Sequence, residues 1–426
     1  MIKKILTDKE LFWTFVYQLI TLVGGLLLIK ILATTLSTET YGYYTLIMSI
    51  SALVIMLPFS ALMQGVSRYI SIYKKKEKYN NFFIVVIILN FFIISLYIIF
   101  AIIFKNIYEL SDTWNDIYYM VVLFSISEIF KVLFRTINNT NRERKNLSLS
   151  ISLEFSLKIG LLFLVYFYTQ ISIKYILLIL VLSNILSVWV MISKYRNLFT
   201  IKYLSLKQFK VYTLRIWVFA TPLIVWAIFG WLRDMSNRWY LDYFLDKEQV
   251  ALFAMISSIA MVAPTALSGL IGGFIIPILY QKDNSDKSYV GKFLLKTMPL
   301  VLFVFLLSFM VTYIFKNEII LIIADEKYLE LSWMLPWMFL TFCIYTLSMM
   351  ATYEIFAHKQ TKKLIWSSII PGIISIVCGY FFIKFFGVEG ALYNYIITYL
   401  SYALLTFYIV IKYTKSNKLK RLLLDN

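Results

Sequence analysis

Five ionisable residues interrupt two long apolar runs. Glu128, Lys131 and Arg135 stand at i, i+3 and i+7, on one face of a helix. Glu154 and Lys158 stand at i and i+4, again on one face. Charges in such a setting are costly, and they persist where they pair or line a polar cavity. No histidine or thiol lies near them, so their chemistry is electrostatic: they hold one another, or they present positive potential to an anion. Counting 1.5 Å per helical residue from the ends nearest Arg142 puts Lys131 about 8 Å deep and Glu154 about 10 Å. Glu128 then lies about 12 Å deep and Lys158 about 16 Å. Opposite charges therefore match in depth across two adjacent antiparallel runs. Two readings stay open, a structural pairing between helices and a polar cavity wall with Lys158 near the midplane. Arg135 is expected to snorkel to the interface.

A second charged patch, Arg233, Asp234, Arg238 and Asp242, closes the seventh apolar run, with the last three at i, i+4 and i+8. Lys30 holds nearly the same place as Arg238 in the first half of the chain, and Arg68 follows the second run. Lys158, Lys131, Glu128, Glu154, Lys30, Arg68, Arg238 and Asp234 are thus the candidate ligand-contacting residues. Pro58, Pro222, Pro264 and Pro277 lie within apolar runs and are candidate hinges, ordinary packing kinks being the alternative. His358 is the only histidine, and Cys343 and Cys378 stand alone in apolar sequence. There is no CxxC pair and no phosphate loop. No catalytic residue, metal site or cofactor is expected, and no enzyme activity.

The elements carrying these residues follow from composition. The 426 residues are 61% hydrophobic and only 15% charged, where a soluble chain carries about 25% charge. Apolar runs at 11–34, 41–64, 82–104, 116–136, 147–169, 175–193, 215–234, 249–280, 293–315, 331–353, 364–383 and 389–411 alternate with short polar stretches. Most reach the roughly 20 residues a bilayer crossing needs, and in lipid each must be a helix. The stretch "IILIIADEKYLE" reads as an interfacial helix, and the polar first ten residues do not read as a cleavable leader. The expected fold is an all-α polytopic membrane protein of about 12 transmembrane helices. Lys and Arg favour one set of loops by about three to one, which marks the cytoplasmic side and puts both termini there. The net charge of +18 then reflects topology and attraction to anionic lipid, with no nucleic-acid partner.

The phrase "LSTETYGYYTLIMSIS" at 36–51 returns as "LDKEQVALFAMISSIA" at 245–260, an offset of 209 residues. With an even number of runs per half, such a duplication is a parallel repeat about an axis normal to the membrane. The expected domains are a six-helix bundle over 1–200 and another over 201–426, around a central cavity. The repeated phrase becomes the outer turn between the first and second helices of each half.

At this level the chain resembles the O-antigen and capsule repeat-unit flippases (Wzx-type) of the multidrug/oligosaccharidyl-lipid/polysaccharide (MOP) superfamily. The resemblance rests on "ILATTLSTETYGYYTLIMSIS", on "GVSRYIS" (Gly65–Ser71) and on "SNRWYLDYFLDKEQVALFAM". It also rests on "AHKQTKK" (Ala357–Lys363) and on "FGVEGALYNYIITYLSYALL". Asn237 stands where that family commonly has an aspartate, while Arg238 is kept. The resemblance implies a flippase that moves a polyprenyl-diphosphate-linked oligosaccharide, an O-antigen or capsule repeat unit feeding lipopolysaccharide or polysaccharide biosynthesis. Translocation would run from the cytoplasmic to the outer leaflet of the cytoplasmic (inner) membrane by alternating access. Polymerase or export proteins of the pathway would be further partners. The alternatives are a drug or cation antiporter of the same superfamily and, from another class, a membrane-embedded polysaccharide polymerase.

Overall fold

The computed structural model describes residues 9–75, 78–168, 171–199, 204–270, 289–357 and 360–424. Pro277 and His358 lie outside them, so the hinge expected at Pro277 does too. The described residues are helical nearly throughout. Eleven helices among them are long and apolar enough to cross a membrane. The last carries an interruption at Gly387, which separates the two runs read at 364–383 and 389–411. The protein is a multi-pass membrane protein.

The chain forms two compact units. One comprises Met1–Leu36 with Leu46–Ile228, and the other Ser37–Thr45 with Phe229–Asn426. The sequence places the division at 200/201; the compact units part at Ile228/Phe229, and a short segment of the first half joins the second unit.

The first unit begins with α1 (Lys9–Thr35). α2 (Thr38–Val54) starts in the second unit and passes through a π-helical stretch, Ile55–Ser60, into α3 (Ala61–Lys75). Leu57 there is non-helical (φ −120, ψ 114) just ahead of Pro58, so Pro58 sits at a true interruption. Pro222 and Pro264, by contrast, lie inside continuous helices. α4 (Tyr79–Ile107), α5 (Asp112–Thr140), α6 (Arg144–Tyr168) and α7 (Ile173–Ile192) follow. α8 (Leu206–Phe244) starts in the first unit.

α3 and α8 both run past the expected hydrocarbon limits. Val66, Ile70 and Tyr73 on one, and Tyr212 and Ile216 on the other, form apolar stripes at helical spacing and are buried. The Tyr73 ring lies 4.6 Å from both Phe82 and Tyr212, and Arg215 donates to the Tyr73 hydroxyl at 2.8 Å. Burial of these stripes extends the helices beyond the lipid.

In the second unit, α9 (Lys247–Leu270) and α10 (Tyr289–Ile314) precede a short helix α11 (Lys316–Ile323) and a 3-10 turn, Glu326–Leu331. These short pieces occupy the stretch expected to be interfacial. α12 (Met334–Ala351) packs against α9, α10 and α13 (Ile365–Leu424). Gly387 takes φ +58, open chiefly to glycine. The chain then turns back so closely that a side chain on Gly390 would collide with the Phe382 carbonyl.

The repeated phrase has a physical basis. Ser37 Oγ accepts from the Thr40 amide at 3.2 Å, and Asp246 Oδ1 accepts from the Gln249 amide at 2.8 Å. Both pairs are N-caps, at positions related by the same offset of 209. The two capped starts touch within the second unit, where a Cβ on Gly42 would strike the Lys247 carbonyl.

Candidate functional site

The charges of α5 and α6 meet inside the first unit. Lys131 Nζ donates to Glu128 Oε1 at 2.5 Å, one turn back on its own helix, and to Glu154 Oε1 on α6 at 3.1 Å. Its third acceptor is Asn184 Oδ1 on α7, at 2.8 Å. An ammonium has three protons, so Lys131 is saturated. Asn184 also donates to Glu128 Oε1 and to Ser127 Oγ, both at 2.9 Å, tying α7 to α5. Ser150 and Ser187 share a hydrogen bond at 2.9 Å between α6 and α7.

Lys158 differs. Its Nζ donates to Glu154 Oε1 at 2.5 Å, and it lies 5.3 Å from the centroid of the Phe155 ring. Among the described residues Glu154 is its single hydrogen-bond acceptor. Lys158 is only 6% exposed, yet it lines a cavity of about 220 Å³ together with Lys131, Arg135, Glu154, Ser150 and Ser187. Tyr17 and Thr21 of α1 complete that side of the wall. The cavity therefore presents three cationic side chains, one with hydrogen-bonding capacity to spare, beside one carboxylate held by two of them. Arg135, expected to snorkel outward, lines this cavity one turn from Lys131.

The other candidates lie elsewhere. Lys30 and Arg68 are not part of this cavity wall; Arg68 stacks over Phe219 at 4.6 Å. Asp234 and Arg238 belong to the second unit. Asp234 is bound by its neighbour Arg233, through Nε at 2.7 Å and NH2 at 3.1 Å, and accepts from the Tyr399 hydroxyl at 2.7 Å. The buried Arg233 guanidinium is caged by the rings of Tyr345, Tyr399 and Tyr402, at 4.7, 5.3 and 5.0 Å. Arg238 donates to the Thr45 carbonyl at 3.3 Å. Asp242 pairs with Lys247 rather than sharing a cluster with Asp234 and Arg238. Asn237 is fully buried, donating to the Ala391 carbonyl at 3.0 Å and accepting from Asn394 at 2.5 Å. Both ends of the amide are used, which a carboxylate could not do.

Asn184 and the tyrosine cage were not picked out from the sequence. "SNILS" in the sixth run carried the signal for the first: small polar residues at helical spacing within an apolar span. The cage had none, since tyrosines recur throughout the chain.

The sequence profile of the family described as "Polysaccharide biosynthesis protein" matches residues 8–282. The chain belongs to that family. The match spans the charged cavity and the first-unit helices that build it. No curated protein matches this family member. Among solved structures, the lipid II flippase MurJ in an inward closed conformation superposes with a TM-score of 0.72 at 18% identity, covering 94% of this chain and 87% of that one. An inward-facing multidrug resistance MATE family transporter of the MOP superfamily gives 0.67 at 13% identity, over 93% and 96%. A variant of the Vibrio cholerae MATE transporter VcmN gives 0.67 at 12% identity, over 96% and 95%. The chain thus shares the all-helical fold of these transporters.

Proposed function

We propose that this protein is a flippase that carries a polyprenyl-diphosphate-linked oligosaccharide, an O-antigen or capsule repeat unit, from the cytoplasmic to the outer leaflet. The observation carrying this reading is Lys158, a buried ammonium with one acceptor on the wall of a cavity that also holds Lys131 and Arg135. A diphosphate supplies further anionic oxygens to a wall whose one carboxylate is already shared by two lysines. Family membership supports a polysaccharide pathway, and the likeness to a lipid II flippase supports a lipid-linked cargo. The two units supply the two bodies that alternating access requires. The bias of cations among the loops supports a cytoplasmic membrane location with both termini inside. Polymerase or export proteins acting on the flipped unit are the partners this role implies, and the role involves no bond-making chemistry.

A drug or cation antiporter would need a carboxylate available to a cationic cargo. Here Glu128 and Glu154 are both engaged by lysines. The deciding experiment is Lys158→Met in protein that reaches the membrane at normal levels. Glu154 keeps Lys131 as partner in that variant, so no carboxylate is left unpaired. Loss of lipid-linked oligosaccharide translocation in reconstituted vesicles, with partial activity in Lys158→Arg, is expected. Full translocation by Lys158→Met sinks the assignment.

A further inference from the structure

A second concavity, of about 650 Å³, lies between α1 and α6. Its wall on α1 includes Leu19, Val23 and Leu27, at i, i+4 and i+8, each close to half exposed. These three make a stripe about 12 Å long. On α6 the groove meets Ile159 and Gly160, and the space where Gly160 would carry a side chain is open. No charged residue lines it. Apolar exposure alone is ordinary for a spanning helix. What sets this groove apart is its concavity and its neighbour: it shares one residue, Phe155, with the charged cavity. The Phe155 ring reaches from α6 to the α1 backbone, where a Cβ on Gly24 would lie 2.6 Å from it. The same ring lies 5.3 Å from Lys158 Nζ.

We propose that the α1–α6 groove holds the prenyl chain of the lipid whose diphosphate enters the charged cavity, with Phe155 as the wall between the two. The inference rests on the flippase reading and extends it to the other end of the cargo. Charge complementarity carries it. Cations lie on one side of the phenyl ring and a purely uncharged concavity on the other, so an amphiphile with an anionic end and a hydrocarbon end matches both. Lys158 and Gly160 are two residues apart, which brings head and chain sites into the same turn of α6.

The test is binding to purified wild-type and variant protein in detergent, with two probes of identical headgroup: a long-chain polyprenyl diphosphate and geranyl diphosphate. Gly160→Leu fills the groove and should weaken the long-chain probe at least tenfold, because methylenes lose their dry contact, while geranyl diphosphate binds as before. Ser156→Leu, on the same wall, should act likewise and serves if Gly160→Leu does not fold. Unchanged long-chain binding in the folded variants overturns the proposal, and so does equal weakening of both probes. Displacement of the long-chain probe by phosphatidylglycerol as readily as by unlabelled polyprenyl diphosphate also overturns it, since the groove would then be a general acyl site. Lys158→Met separates the two ideas. It should weaken both probes alike, and if both bind normally the headgroup assignment falls while the groove result stands on its own.

Discussion

Glu154→Gln is the most informative single change for the energetics of the charged cavity. Glu154 is 3% exposed, and one of its oxygens accepts from Lys131 at 3.1 Å and from Lys158 at 2.5 Å. At an effective dielectric near 20 these distances correspond to attractions of about 5 and about 7 kcal/mol. Desolvation cancels most of that, and removing one partner of a buried pair typically costs about 3–5 kcal/mol. Glutamine keeps an acceptor oxygen, so the lower end applies, about 3 kcal/mol, or roughly a hundredfold in the folded-to-unfolded ratio. Reversible unfolding in mixed micelles titrated with dodecyl sulfate reads this directly. Glu154→Gln combined with Lys158→Met restores charge balance and should recover at least half of the loss. A single variant as stable as wild type would refute the reasoning, as would a double variant less stable than the single one, because either result means that the three groups are not energetically coupled.

Five further outcomes are expected. Gly387→Ala should lower the thermal midpoint in detergent by the equivalent of about 1–3 kcal/mol, since φ +58 with ψ −134 is open chiefly to glycine, and Gly390→Ala should cost more, since its methyl meets the Phe382 carbonyl. Arg142, at φ +61 in the turn after α5, should give a midpoint rise of about 1 kcal/mol when replaced by glycine. Arg233→Lys should destabilise by about 1–3 kcal/mol in the same micelle titration, because an ammonium loses both the forked contact with Asp234 and the planar stacking in the tyrosine cage. Single cysteines at Asp112 and Lys145, at opposite ends of the α5–α6 pair, should be labelled by membrane-impermeant maleimide from opposite sides, Lys145→Cys from the cytoplasm.

Much of the architecture could be read from the residues because lipid imposes one rule on every span. The charges on α5 and α6 were legible for the same reason: at i, i+3 and i+4 in apolar runs they can only pair or face a cavity. Depth counting matched Lys131 with Glu154, which do meet. It also matched Glu128 with Lys158, whereas Glu128 closes onto Lys131 within its own helix and Lys158 onto Glu154 within its own. Residues at i, i+3 and i, i+4 face each other on one helix whatever the register of its neighbour, and depth alone does not weigh that. Asn184 escaped notice because a lone amide 53 residues from Lys131 gives no hint of its register. α3 and α8 run long because the last turn of α3 and the early turns of α8 are held by aromatic packing, while hydropathy registers only the lipid.

The turn joining α5 to α6 is three residues, Asn141–Glu143, closed by hydrogen bonds from the Arg142 and Glu143 amides back to Asn139 and Asn138. So short a link bears on biogenesis. A helix entering the bilayer alone with a charge at its centre is penalised by about 2.5–3.5 kcal/mol per residue, and α5 and α6 each carry an acid and a base there. Most of that penalty vanishes if the two leave the translocon as one hairpin, with Lys131 already on Glu154. α7 follows and adds the amide of Asn184. Severing the chain in this turn would part Lys131 from Glu154 and leave each helix only its own intrahelical pair in lipid, so the site for split-protein work lies in another loop.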